Sequence, residues 1–406
     1  MSNSTIASEL YSPNFAQSWT RVSLLETATW INGMAFKNFS FTDSGLAVVK
    51  IAEIKSGVTS QTRFTETEYD PKYLLDREDI LFCWSGQPET SIDTFRWAGP
   101  PGWLNQHIFK VLPNENIIDR DFFFHLMRYL KPTFIRIARN KQTTGLGHVT
   151  KGDLRQIQVA LPSLAVQRSI AAQLESVEQK IESNLRQLTL LESLAHAHFD
   201  RLFSVELHSE GVAIEDLLTV NPRRELRKDA VAKYLGMASL VEFSAEVYKW
   251  ESKPYGSGQR FVNGDVLLAR ITPCLENGKT AVVDMLADGE VAWGSTEYIV
   301  LEPRGEYSTG WIYCLVRSPT FREFAIRSMT GSSGRQRLQP ASLKQYTIAR
   351  PSEENLKEFN RLAFAIFAKL TALRDETLVL RKLQASAVPQ AMAGDHWTFN
   401  LKEALA

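Results

Sequence analysis

The 406-residue chain is poor in cysteine: Cys83, Cys274 and Cys314 are the only three, and they lie far apart. There is no CxxC pair and no Cys/His cluster at zinc spacing, so neither a disulfide framework nor a bound metal is expected. No apolar run approaches the roughly 20 residues a membrane span needs. The opening MSNSTIASELYSPNF lacks the basic and apolar stretches of a secretory leader, which points to a cytoplasmic setting. Net charge is missing as well, because 46 lysines and arginines balance 46 aspartates and glutamates. Nucleic-acid binders usually carry a basic excess, so the zero stands against that class until the charges are located.

Catalytic signatures are absent too. Asn221-Pro222-Arg223-Arg224 resembles only the start of an amino-methyltransferase motif and lacks its second proline and its aromatic residue. Gly145-Leu146-Gly147 and Gly256-Ser257-Gly258 are isolated fragments, and no phosphate-binding GxxxxGK[ST] loop occurs. Asp265, Glu276 and Lys279 miss the spacing of a nuclease triad. A non-enzyme that binds no cofactor of its own is expected. What is present is ordinary globular material: 44% hydrophobic and 10% aromatic residues. Single cores rarely grow past about 250–300 residues, so this length predicts at least two domains.

The two domains are copies. GLGHVTKGDLRQIQVALPS (145–163) aligns without a gap on GRQRLQPASLKQYTIARPS (334–352), a constant offset of 189 positions. Upstream, Asp79-Ile80-Leu81-Phe82 answers Asp265-Val266-Leu267-Leu268, and His107 to Val111 answers Glu297 to Leu301. Short β-branched or aromatic runs at Asp79–Trp84, Ile108–Leu112, Asp265–Ile271 and Tyr298–Leu301 predict strands. FFFHLMRYL (122–130) and WIYCLVRS (311–318) predict buried helices at matching places. The class is α+β, with two tandem homologous α/β globular domains.

Each copy ends in a long heptad helix. The first seam runs through Ile170, Leu174, Val177, Ile181, Asn184, Leu188, Leu191, Ala195, His198 and Leu202. The second runs through Phe359, Ala363, Ile366, Leu370, Leu373, Thr377, Leu380, Gln384 and Ala387 in the same register. Matched seams predict an antiparallel pair, with Asn184 and His198 as register-setting positions. The expected organisation is a polar tail at 1–17, a domain at 18–160, a helix at 161–205, a domain at 206–349, a helix at 350–392 and a tail at 393–406.

Locating the charges changes the meaning of the zero. Arg128, Lys131, Arg136, Arg139, Lys141 and Lys151 run without an intervening acid, and in the second copy Arg317, Arg322, Arg327, Arg335, Arg337, Lys344 and Arg350 face one acid, Glu323. Each copy adds a polar, glycine-bearing turn, at 141–145 and 330–337. Acids stud the helices at Glu175, Glu178, Glu182 and Glu192, and at Glu353, Glu354, Glu358, Asp375 and Glu376. The expectation is basic domains on acidic helices, the domains meeting DNA and the helices meeting protein. Backbone N–H groups, hydroxyls and arginine forks are the equipment for phosphate positioning and base-edge readout. On that chemistry the candidate contacts in the first copy are Thr59, Ser60, Gln61, Arg63, Trp84, Ser85, Lys141, Thr143, Thr144 and His148. In the second they are Arg223, Arg270, Thr272, Lys279, Ser332, Ser333, Arg335, Gln336 and Arg337.

Two globular domains, each followed by a heptad helix, resemble the specificity subunit of a type I restriction–modification system. The phrases that carry the resemblance are Leu161-Pro162-Ser163-Leu164-Ala165-Val166-Gln167-Arg168-Ser169-Ile170, the more divergent Arg350-Pro351-Ser352-Glu353-Glu354-Asn355-Leu356, and Gly264-Asp265-Val266-Leu267-Leu268. It covers the chain from Trp19 to about Met392. The resemblance implies a non-catalytic, pseudo-two-fold subunit whose domains each read half of a split double-stranded DNA target. It implies helices that set the spacing and dock two methyltransferase subunits, with restriction subunits joining. S-adenosylmethionine would sit on the partner. The competing readings are a stand-alone nuclease or adenine methyltransferase with an unrecognised site, and a scaffold that binds no DNA.

Overall fold

The strands of the two copies are wired identically. The computed structural model describes residue 15 and residues 17–36, 41–141, 146–332 and 334–393. The chain divides into two units, residues up to 179 together with those from 381 onward, and residues 180–380. In the first unit an antiparallel sheet has the order Ala28–Asn32, Ile108–Pro113, Ile80–Cys83, Asp93–Arg96. In the second unit Leu218–Val220, Tyr298–Pro303, Val266–Ala269 and Thr280–Val282 take the same order.

A second sheet in each unit repeats the match. Its order is Phe64–Thr65, Leu46–Val49, Gly102–Leu104, Leu74–Leu75 in the first. In the second it is Glu251–Pro254, Val231–Leu235, Ala292–Gly294, Gln259–Phe261. The central pair is parallel in both. A short ladder closes each unit, Thr20–Ser23 on Gln158–Leu161 and Val212–Ala213 on Thr347–Ile348.

Helices follow at the expected places. Arg120–Tyr129 is capped by Asp119, whose carboxylate accepts the N–H groups of Asp121 and Phe122. Thr309–Arg317 is capped by Ser308, which accepts from Trp311 N–H. Such caps satisfy donors that a helix start otherwise leaves unpaired. Both helices are almost wholly apolar over their middle turns and are buried there. Each is followed by a second helix with proline in its first turn, Lys131–Asn140 and Pro319–Arg327.

The heptad helices run Leu164–Leu207 and Glu353–Ala393. Leu174, Val177, Leu188, Phe359, Ala363, Ile366, Leu370, Leu373 and Leu380 are buried, while Ile170, Ile181 and Leu191 are half-buried. Within the second unit the helices are antiparallel: Lys180 pairs with Glu376 at 2.9 Å, and Asn355 Nδ2 donates to Leu202 O at 3.2 Å. Asn184 is fully buried and donates to Glu376 Oε2 at 2.8 Å and Thr377 Oγ1 at 3.3 Å, a polar pair on the seam. In the first unit Gln384 Nε2 donates to Glu178 Oε1 at 2.7 Å.

The helices are more than spacers. In the second unit Leu188, Ala195, Phe199, Phe203, Phe359, Ala363 and Leu370 share one core with Trp311, Ile312 and Leu315. In the first, Ala171 and Met392 join the core of Phe122, Phe123 and Phe134. A globular domain that buries its helix against a heptad helix gains stability from the apolar area removed from water.

Candidate nucleic-acid interface

In each unit a backbone ladder beside the first sheet gathers several of the expected contact residues. In the first unit Ser85 pairs with His148, and Trp84 O accepts Val149 N–H. The Trp84 indole is half-buried, donates to Asn32 Oδ1 at 2.9 Å and meets His107 edge-on at 5.8 Å. In the second unit Ile271 bridges Arg337, Thr272 N–H donates to Gln336 O, and Leu338 N–H donates to Arg270 O. The two ladders occupy matching places in the repeat. Arg270 and Arg337 converge on Glu297 at 3.2 and 2.9 Å. Their guanidinium groups, Arg337 first, hold the Glu297 carboxyl below its ordinary range.

The basic turn of the second unit grows from the hairpin Met329–Thr330 and Arg337–Leu338. Gly331 at φ 127 and Gly334 at φ 77 adopt backbone that side chains resist, so glycine is required at the corners. Arg335 N–H donates to Ser332 O at 3.0 Å, which closes the turn. Ser332 and Arg335 are exposed, and Arg335 has no ion pair among the described residues. Gln336 is half-buried. Ser333, Thr143 and Thr144 lie outside the described residues.

Other candidates are scattered. Thr59, Ser60, Gln61 and Arg63 are exposed on one loop that precedes the strand Phe64–Thr65. Gln61 N–H donates to Thr59 Oγ1, and the Arg63 guanidinium lies 4.6 Å over the Phe41 ring. Arg223 is exposed, whereas its neighbour Arg224 turns inward to Asp265 and Glu302. Lys279 is half-buried and donates to Met237 O at 3.2 Å. Lys141 points into its own unit, 2.6 Å from the buried Asp153. Asp265, Glu276 and Lys279 have separate partners: Arg224 for the first, Thr272 for the second and the Met237 carbonyl for the third.

The expected split into basic domains and acidic helices needs correction. The run from Arg128 to Lys151 holds no acid in sequence, yet acids from elsewhere meet it. Arg128 pairs with Glu178, Lys131 with Asp93 and Arg139 with Glu89. The helix acids are partly turned inward as well. Arg96 forks onto Glu175 at 2.9 and 3.0 Å, and His125 lies 3.6 Å away. His125 and Arg96 hold the Glu175 carboxyl low, at about 2. Glu192 is buried and accepts Ala245 N–H at 2.6 Å. His125, Glu175 and Glu178 could in principle share a cation, but arginines already neutralise both carboxylates.

One surface escaped sequence reasoning. On the second sheet of the second unit, Tyr234 and Trp293 lie directly opposite, 4.5 Å apart, and Tyr255 meets Trp293 at 5.5 Å. Lys253 lies 4.6 Å over Tyr234 and Arg260 lies 5.8 Å over Tyr255. The first unit has Trp103 at the equivalent strand position, covered by Tyr69 at 5.1 Å. The signal was a tryptophan at the middle of a three-residue strand in both copies, GWL and AWG.

Residues 17–193 match the type I restriction modification DNA specificity domain. Over this stretch the chain is similar to type I specificity subunits. It is 28% identical over 174 residues to the type I restriction enzyme EcoBI specificity subunit of Escherichia coli, covering 42% of this chain and 35% of that one. It is 32% identical over 132 residues to the EcoAI specificity subunit of the same organism, covering 32% and 21%. The matched stretch therefore spans about a fifth to a third of these relatives. A crystal structure of the type I S subunit from M. genitalium superposes with a TM-score of 0.60 at 14% identity, covering 92% of this chain and 96% of that one. The S-subunit fold thus extends over both units.

Proposed function

We propose that this chain is the DNA sequence-specificity subunit of a type I restriction–modification enzyme. Each unit reads one half of a split target in double-stranded DNA. The paired helices set the distance between the halves and carry two methyltransferase subunits, and restriction subunits join them. The chain itself catalyses nothing, and S-adenosylmethionine belongs to the methyltransferase.

The observation that carries this reading is the duplication itself. Both units repeat the same two sheets in the same strand order, and the sheets of the first lie within the matched specificity domain. Two equivalent readers in one chain suit a target of two half-sites and two identical partners. In the second unit the ladder and its turn offer the chemistry. An exposed arginine on a glycine-cornered turn can present its planar fork to the N7 and O6 of guanine, while backbone N–H groups and hydroxyls hold phosphates in register.

The test is Arg335→Ala in the chain assembled with its methyltransferase. Discrimination at one base of one half-site is expected to fall by about 1–3 kcal/mol, with the other half-site read as before. Equal loss at both halves would remove Arg335 from base readout.

A further inference from the structure

The second unit contains a cavity of about 480 Å³ between the end of the strand Thr280–Val282, the turn at 305–310 and one face of the helix from Asn360 to Thr371. Specific pockets fall in this size range. Its uncharged polar side chains already have partners. Asn263 donates to Leu286 O, Thr309 to Gly264 O and Thr371 to Asp284. Ser308 donates to Asn360, which donates onward to Glu306 O. The surface left to a visitor is apolar, formed by Phe364, Phe367 and Ala368 with the edges of Val282 and Ala363. Phe364 is 81% exposed at this site, the most exposed large hydrophobic among the described residues.

The first unit provides the comparison. By strand register Arg96 stands opposite Ile80 as Val282 stands opposite Val266. By the offset of 189 along the heptad helices Glu175 corresponds to Phe364, and from the matching caps Asp119 and Ser308 Asp121 corresponds to Gly310. In the first unit Arg96 binds both Glu175 and Asp121 at 2.9 Å. The same three positions in the second unit are valine, glycine and phenylalanine. Gly310 packs tightly, since a Cβ there would lie 2.8 Å from Phe367 Cε2 and 3.2 Å from Ala363 Cβ. The ion cluster has been exchanged for an open apolar socket.

We propose that this socket docks one partner protein, once per chain, through an aromatic or aliphatic side chain set beside lysine or arginine. The apolar anchor follows from the satisfied polar lining. The basic flank follows from Glu306, the exposed lining acid, with no lysine or arginine among the lining residues. Arg374 already engages Asp284, but Glu306 is exposed and has no ion pair among the described residues. The single copy follows from the first unit, where ions occupy the place. This goes beyond the two equivalent methyltransferase subunits of the proposed function, because two equivalent partners do not explain a socket built in one unit alone.

The experiment titrates the full chain with a short peptide carrying 4-fluorophenylalanine between two lysines, read by fluorine NMR. A twin peptide carries glutamates instead. The expected result is saturable binding at one site per chain, at least tenfold weaker for the glutamate twin. Phe364→Ser, at an exposed position where folding is not at stake, is expected to weaken the lysine peptide at least tenfold. Val282→Arg with Phe364→Glu, which rebuilds the ion pair of the first unit, is expected to abolish binding. Absence of saturation, equal binding of both peptides, two sites per chain, or indifference to Phe364→Ser overturns the proposal. Sedimentation of the chain alone showing a dimer that Phe364→Ser dissociates would also overturn it, by assigning the socket to self-association. None of these outcomes touches half-site reading, which is assayed separately at Arg335.

Discussion

The first and second units share strand order, helix placement and capping, yet they treat charge differently where the heptad helices meet them. The first unit uses half-exposed ions, with Arg96 at 19% exposure holding Glu175 and Asp121. The second buries its charge deeper. Arg374 is 1% exposed and faces Glu246, Asp284 and Asp375. One guanidinium serves three carboxylates there. Burial, then Asp284, raise the Glu246 carboxyl to about 8, so it stays protonated near neutrality. Duplication preserved the fold and freed the interface chemistry to diverge, because strand order depends on backbone pairing and alternation whereas an interface needs only local satisfaction.

The comparison breaks most visibly at Arg374. Arg374→Met leaves Asp284 without its partner, and breaking a buried pair from one side costs about 3–5 kcal/mol. Chemical denaturation followed by hydrogen exchange is expected to show that loss in amides of the second unit, with the first nearly unchanged. A loss of equal size in both units would contradict their energetic independence.

A smaller effect sharpens the contrast, because the two units should respond to pH with opposite sign. Glu175 is lowered in the folded state, so its contribution is present above its unfolded value of 4.5 and fades as pH falls toward about 2. Glu175→Gln is expected to cost about 1–3 kcal/mol at pH 7, and the gap to wild type should close on acidification. Glu246 is raised, so its favourable contribution is present below 4.5 and is lost as pH rises through about 8. Glu246→Gln is expected to keep the second unit stable from pH 6 to pH 9, where the wild type loses about 2–3 kcal/mol. Thermal unfolding across that range decides it. Parallel pH profiles for the two variants would refute the opposite-sign assignment.

Much of the fold could be read before any coordinates. Strands expected at Asp79–Trp84 and Tyr298–Leu301 form at Ile80–Cys83 and Tyr298–Pro303. The heptad seams are buried in the expected register because period and burial are one property of an amphipathic helix. The second sheets were not foreseen. Several of their strands, Phe64–Thr65 and Leu74–Leu75 among them, are only two or three residues long and carry no alternation to detect. The charge partition misled for a related reason. Lys141 and Asp153 lie close enough in sequence to suspect a pair, but Arg96 and Glu175 are 79 positions apart and meet only through the tertiary fold. At the candidate interface, sequence chemistry picked out Arg270, Gln336 and Arg337, but it missed that Glu297 gathers two of them and that Lys279 faces a carbonyl.

The most direct test of half-site reading is methylome sequencing of cells that carry this chain with the methyltransferase subunit proposed for it, before and after residues 206–349 are exchanged for a foreign domain. The account predicts a split methylated motif in which the exchange rewrites one half and leaves the other half and its methylation intact. A motif unchanged by the exchange, or one altered in both halves, would contradict it.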